Sequence, residues 1–193
     1  MTEGTATHIG DGIQQTLARL TSALDDSYFA QVTGACILLK NSILRGRKLL
    51  IFGNGGSAAD AQHIAAELVG RYKVERAGLP AIALTTDTSI LTAWSNDYDF
   101  ESVFARQVEA IGRAGDVAWG ISTSGNSPNV VRAFESARRN GLVTLGLLGR
   151  DGGKAATLTD CAIIAPLAET DQIQVAHLLT YHAICAELDC VFN

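Results

Sequence analysis

No two cysteines in this chain form a Cys-x-x-Cys pair. The four are scattered at Cys36, Cys161, Cys185 and Cys190. Three of them sit in apolar company, as buried structural thiols do. Scattered cysteines argue against a disulfide framework and against a catalytic thiol. Positive charge is also scarce: the formal net charge is −5, so no nucleic-acid partner is expected. No apolar run approaches the roughly 20 residues of a membrane span. The first residues, Met1 to Thr7, offer neither a basic start nor an apolar core, so no signal peptide is expected. These absences point to a cytoplasmic protein without a membrane partner. Nucleotide motifs are missing too. There is no G-x-x-x-x-G-K-[ST] run, and Ala58 stands where a G-x-G-x-x-G loop needs its third glycine.

What is present suits a compact α/β protein. The chain has 193 residues, 47% hydrophobic and 18% charged, enough for one domain with a sizeable core. The first 47 residues read as helical, with Ile13, Leu17, Leu20 and Leu24 recurring at helical spacing and Val32, Cys36 and Leu39 doing the same. This N-terminal helical hairpin (1–47) precedes an α/β core (48–193), with no linker long enough for a second domain. An apolar hairpin that cannot join a sheet needs a partner, most simply the same hairpin of another subunit. Beyond it, strands are expected at 48–53, 80–85, 116–121, 142–148 and 161–165, and helices at 57–71, 88–95, 101–113, 128–140 and 171–191. This alternation predicts a three-layer α/β/α architecture on a five-stranded parallel sheet. Ligands of such sheets bind beyond the carboxyl ends of the strands.

Residues 53–71 carry the most information. The apolar run Leu49-Leu50-Ile51-Phe52 leads into Gly53-Asn54-Gly55-Gly56-Ser57, and an alanine-rich helical segment follows. Strand, glycine loop and helix present backbone N–H groups and a positive helix end to an anion. Asp60, His63, Glu67 and Arg71, spaced three, four and four, fall on one stripe of that helix. Such a stripe can be a solvated face held by i,i+4 pairs. Here the glycine loop starts the helix at the ligand edge of the sheet, which favours chemistry.

A second loop, Ser122-Thr123-Ser124-Gly125-Asn126-Ser127-Pro128, follows the strand at 116–121. One serine there would be an ordinary helix cap. Four hydroxyls in six residues can donate many hydrogen bonds to a phosphate without fixed positive charge. Pro128 marks the first helical position after it. Gly152-Gly153-Lys154 reads as a turn. The last helix brings Asp171, Gln174, His177 and His182, and His182 lies among Leu178, Leu179, Ile184 and Cys185. A partly buried histidine beside a carboxylate is a candidate for proton transfer.

At these residues the chain resembles the phosphoheptose isomerases of the sugar isomerase (SIS) superfamily. The resemblance rests on Gly53 to Ser57 with Asp60, His63, Glu67 and Arg71; on Leu84-Thr85-Thr86-Asp87-Thr88-Ser89; on Asn96-Asp97-Tyr98; on Ser122 to Ser127; and on Ile173-Gln174 with His182. It runs from about residue 48 to the C-terminus and implies a flavodoxin-like SIS fold. It also implies conversion of D-sedoheptulose 7-phosphate to D-glycero-D-manno-heptose 7-phosphate through an enediol, the first step toward activated heptose. A homotetramer with active sites at subunit interfaces is implied as well, with one zinc ion per subunit. The implied metal ligands are His63, Glu67, Gln174 and His182, and the implied proton-transfer pair is Glu67 and His182. Phosphate contacts fall on Ser122, Thr123, Ser124 and Ser127. Sugar contacts fall on Asn54, Ser57, Arg71, Asp97, Asp171 and Gln174, with Gly55 and Gly56 in the loop.

Two features sit awkwardly with that picture. Gln174 and His182 are about 12 Å apart along a straight helix, so sharing one ion needs a bend or a second subunit. Val175 also stands where relatives usually have glutamate, which leaves room for a neighbouring heptulose or octulose phosphate. The main rival is a non-enzymatic binder of the same superfamily, of the kind that assists the bacterial replication initiator. Those relatives lack the acidic residue that Glu67 supplies here. A sugar-phosphate sensor ranks last, because no added DNA-binding helix pair is visible.

Overall fold

The computed structural model describes residues 2–193, with side chains from His8 onward. Two helices come first, α1 (Thr2–Ala23) and α2 (Asp26–Leu44). The chain then alternates through β1 (Leu49–Gly53), α3 (Gly56–Val69), β2 (Ala81–Ala83), α4 (Thr88–Asp97), α5 (Val103–Ile111), β3 (Val117–Ser122) and α6 (Pro128–Arg139). It ends with β4 (Val143–Gly149), α7 (Gly153–Ala156), β5 (Cys161–Ala165) and α8 (Thr170–Phe192). All five strands are parallel, in the order β2-β1-β3-β4-β5.

The strands are buried on both faces, as a parallel sheet requires. Leu49 and Ile51 of β1 point into one core with Trp119, Leu145, Leu147 and Ile163. Leu50 and Phe52 point the other way, against Phe104 and Phe134. The period-two alternation of side chains makes this division. The first core is closed by α2, α3 and α8 and the second by α5 and α6.

Element boundaries move for local reasons. The edge strand β2 is shorter than the sequence suggests, because the chain turns after Ala83 and the Thr86 hydroxyl bonds its carbonyl. Helix α5 starts late, since Asp99 accepts from Ser102 N at 2.6 Å and holds a 3₁₀ turn at Phe100–Ser102. Gly152 and Gly153, at φ 80° and 52°, open the short helix α7 where a plain turn was expected.

The two N-terminal helices divide their work. Asp25 caps α2 by accepting from Tyr28 N, and α2 buries Tyr28, Ala35, Leu39 and Ile43 against its own chain, chiefly on β5 and α8. So α2 is a layer helix of this sheet, although Phe29, Ile37 and Leu44 stay exposed on it. Helix α1 leaves Ile9, Ile13 and Leu17 exposed on one stripe at four-residue spacing.

Helix α8 has the length and composition to cross a membrane, although its sequence did not read as a span. It buries His177, Thr180 and Asp189 within the protein, which marks a core helix. His177 donates from Nε2 to the Leu148 carbonyl at 3.0 Å, while its Nδ1 is buried without a partner. Burial pulls this histidine down from 6.5 to about 4, against a smaller opposite effect of the Leu148 bond. The unfolded chain therefore binds the extra proton first, and stability falls as pH drops from about 6.5 toward 4. The full effect is about 3 kcal/mol, at 1.36 kcal/mol per pKa unit. His177→Gln keeps a donor and cannot titrate, so its denaturation midpoint is expected to fall less across that window. Parallel profiles for the two proteins would overturn this assignment.

Candidate active site

Strand order reverses between β1 and β3, the topological switch point where open α/β sheets bind ligands. The loops after these two strands are the glycine loop and the hydroxyl loop. A reciprocal amide pair bridges them. Asn54 and Asn129 each donate Nδ2 to the other's Oδ1 at 2.8 Å. Asn54, expected to contact sugar, is thus engaged with a residue that the sequence did not single out.

The glycine loop is tight by construction. A Cβ on Gly53 would lie 2.8 Å from Ser57 Cβ and 2.9 Å from the Ile121 carbonyl oxygen. Gly55 has φ 55° and caps α3 with no side-chain hydrogen bond; the Ser57 and Ala58 N–H groups of the first turn bond the Asn54 and Gly55 carbonyls instead. Ser57 is buried in the first turn. Gly56 faces Gln174: a Cβ there would meet Gln174 Nε2 at 2.3 Å. Gln174 therefore lies against the start of α3.

His63 and Glu67 lie further along α3, where His182 of α8 meets them. One ligand atom from each of the three falls within 4.8 Å of the others. His63 Nε2 is 3.0 Å from Glu67 Oε1, and the His63 and His182 rings meet edge to face at 5.0 Å. Tyr72 stacks on His182 with centroids 5.5 Å apart. Burial pulls His182 below the ordinary histidine value; His63 adds to this and Glu67 opposes it. Gln174 lies against Gly56 at the start of α3. Its neighbour Gly56 precedes His63 by seven residues, about 10 Å along α3.

The Tyr181 hydroxyl bonds His63 Nδ1 at 2.9 Å. Beside it, burial pushes the Asp60 carboxyl up to about 6, with Tyr181 and His63 pulling the other way. Asp60 Oδ2 is buried without a hydrogen-bond partner. Asp60, on the predicted stripe, thus sits behind the histidine. Tyr181 was missed, although it directly precedes His182.

In the hydroxyl loop, Ser122 Oγ lies 3.1 Å from Ser127 Oγ and 3.5 Å from Ser124 Oγ. Ser127 is the N-cap residue of α6, yet its side chain makes no capping bond. Its hydroxyl turns to the other serines instead. Gly125, at φ 62°, packs so closely that a Cβ would lie 2.0 Å from the Gly152 carbonyl oxygen, and Lys154 N donates to Asn126 Oδ1 at 3.1 Å. The loop before α7 thus buttresses the hydroxyl loop. Thr123 is half-buried beside Ser122.

The remaining expected sugar contacts stand apart from the cluster. Arg71, just past α3, lies exposed 3.5 Å from Glu75. Asp97 ends α4, exposed and bonded by Asn96. Asp171 opens toward α1, lining with Val175 a groove of about 610 Å³ that includes Ile9, Ile13 and Leu17.

Parallel sheet, switch-point loops and a His–Glu–His cluster define an α/β domain with a candidate ligand site at the carboxyl ends of its strands. Residues 14–149 match the SIS domain model, and the chain belongs to that family. Among its relatives, a phosphoheptose isomerase of Crocosphaera subtropica is 52% identical over 177 residues, covering 92% of this chain and 90% of the relative. One from Geobacter sulfurreducens is 54% identical over 167 residues, covering 86% and 88%. The solved structure of a phosphoheptose isomerase from Neisseria gonorrhoeae superposes with a TM-score of 0.84 at 43% identity, covering 97% of this chain and 98% of that one.

Proposed function

We propose that this chain is an aldose–ketose isomerase that converts D-sedoheptulose 7-phosphate to D-glycero-D-manno-heptose 7-phosphate through an enediol, the first step toward activated heptose. The carrying observation is the meeting of Glu67, His63 and His182 on α3 and α8, in a chain that is 52% and 54% identical, over 177 and 167 aligned residues, to two phosphoheptose isomerases. The non-enzymatic binder has no use for such a cluster.

Isomerisation moves one proton between adjacent carbons and another between their oxygens. Glu67 can take the carbon-bound proton, and His182 can serve the oxygens. Ser122, Thr123, Ser124 and Ser127, leading to the start of α6, hold the phosphate. Gly55, Gly56 and Ser57 present the positive end of α3 to the sugar, and Gln174 borders the same spot. Arg71, Asp97 and Asp171 would contact sugar only in a site completed by other subunits. A coupled assay with sedoheptulose 7-phosphate tests the reading; no turnover by folded, zinc-supplied protein would sink it.

The donor set suits zinc. Two imidazoles and a carboxylate converge, and the Tyr181 hydroxyl engages His63 through Nδ1, leaving Nε2 for a metal, as outer partners of ligating histidines do. His63, Glu67 and His182 would hold one ion per subunit, and its charge would stabilise an oxygen that becomes negative in the reaction. Gln174 of the same chain is too far along α3, so the fourth position falls to water, substrate or another subunit's glutamine.

The exposed Ile9, Ile13 and Leu17 stripe and its groove with Val175 and Asp171 support assembly into a homotetramer with interfacial sites. A cytoplasmic location fits a substrate of central sugar-phosphate metabolism. Chelation is expected to lower turnover at least about tenfold, with recovery on added zinc. His63→Ala should lose zinc on elemental analysis, and light scattering reports whether the tetramer goes with it. A fully active monomer, or an enzyme indifferent to chelator and zinc, would refute this part.

A further inference from the structure

Loop 70–80 leaves α3 and holds an ion pair that the acid/base cluster does not include. The Arg76 side chain is fully buried and that of Asp189, near the end of α8, is 3% exposed. Arg76 Nε donates to Asp189 Oδ1 at 2.7 Å. The same guanidinium reaches the end of α3, with NH2 on the Glu67 carbonyl at 2.8 Å and NH1 on the Leu68 carbonyl at 2.9 Å. Helix ends leave such carbonyls without intrahelical partners, and here one residue satisfies two of them. The other Asp189 oxygen accepts from Lys73 N at 2.6 Å and Val74 N at 3.1 Å. Those bonds fix the loop just after Tyr72, whose ring lies on His182.

The pair thus holds the backbone of Glu67 and the loop whose Tyr72 lies on His182. Arg76 grips the backbone of Glu67 itself. Asp189 sits seven residues beyond His182, two turns along the same face of α8, and secures the loop that stacks Tyr72 on it. A structural tie between a loop and a helix needs one contact. Here all five polar atoms of the two side chains are bonded: Nε and Oδ1 to each other, NH1 and NH2 to the Leu68, Ala77 and Glu67 carbonyls, and Oδ2 to the Lys73 and Val74 N–H groups. A buried pair is rarely worth much in stability over an apolar substitute, whereas a fixed geometry is what proton transfer needs.

We infer that the Arg76–Asp189 pair is a positioning device that sets the spacing of Glu67 and His182, and with it the metal geometry of the cluster. This rests on the isomerase reading above. The test compares wild type with Asp189→Asn, which keeps shape but weakens the grip on Arg76, and Arg76→Lys, which keeps the charge but loses the fork. Folding is followed by circular dichroism, turnover on sedoheptulose 7-phosphate by kcat and KM separately, and zinc affinity by competition with a chelator.

The expected result for the folded variants is kcat lower by about 10–100-fold and zinc affinity lower by a similar factor, with KM within about threefold of wild type. Folded variants with wild-type kcat and zinc affinity would overturn the inference, as would a loss of kcat that merely tracks the folded fraction. If neither variant folds, Tyr72→Leu decides, since Tyr72 is half-buried and its loss leaves the ion pair intact. A severalfold drop in kcat supports the inference, and unchanged kcat and zinc affinity overturn it. Should wild type itself prove inactive on the sugar phosphate, the function is wrong, and the zinc measurement still decides the positioning role.

Discussion

Glu67→Gln is expected to lower kcat by at least roughly 100-fold, the lower range for removing a general base and equal to about 2.7 kcal/mol of barrier. The amide has the size of the carboxylate and can still accept from His63 Nε2, which in the native protein lies 3.0 Å from Oε1. Packing should therefore survive, and melting within a few degrees of wild type is the control. What is lost is the ability to hold a proton. Glu67 is asked to do two things, because a carboxylate held firmly by zinc is a weaker base. Zinc analysis of the variant separates them. A variant that keeps zinc but not turnover assigns Glu67 as the base, and one that loses both makes it first a ligand. Near-normal turnover with intact fold refutes either role.

The fold was largely readable because its signals were local. β1, β3, β4 and β5 are short apolar runs bounded by glycine, aspartate or serine, and each appears within one or two residues of its expected limits. The stripe of Asp60, His63 and Glu67 was readable for the same reason: helical spacing alone puts these residues on one face. Local pattern could not give the meeting of α3 with α8, which only the family resemblance implied. Glu67 and His182 are 115 positions apart, and nothing local says that α8 runs beside α3 so that Gln174 faces Gly56 while His182 faces His63. The proximity of Tyr181 to His63 depends on that packing, and so does the hold of Asp189 on Arg76. Read by sequence alone, Asp189 is one acidic residue in an apolar helix, and its burial was the missing signal. The N-terminal pair shows the opposite failure. Its helices were legible, but periodicity could not say that α2 belongs to the sheet of its own chain while α1 keeps an open apolar stripe.

Ser122→Ala with Ser124→Ala is expected to raise KM for sedoheptulose 7-phosphate at least roughly 100-fold, since each hydrogen bond lost to a charged group is worth about 1.5–3 kcal/mol. The two hydroxyls also brace the loop. Ser122 Oγ accepts from Gly125 N and Ser124 Oγ from Asn126 N, each at 3.1 Å, so a raised KM alone could reflect a loosened loop. The unphosphorylated ketose separates the two causes. It lacks the group that the serines are proposed to hold, so wild type should use it poorly, and the double variant should use it little worse than wild type does. The variant's loss must then be far larger on the phosphorylated sugar than on the free one, a double-difference that isolates the serine–phosphate contact. Equal losses on both sugars would assign the serines to loop structure. Equal wild-type activity on both would remove the phosphate from the site altogether.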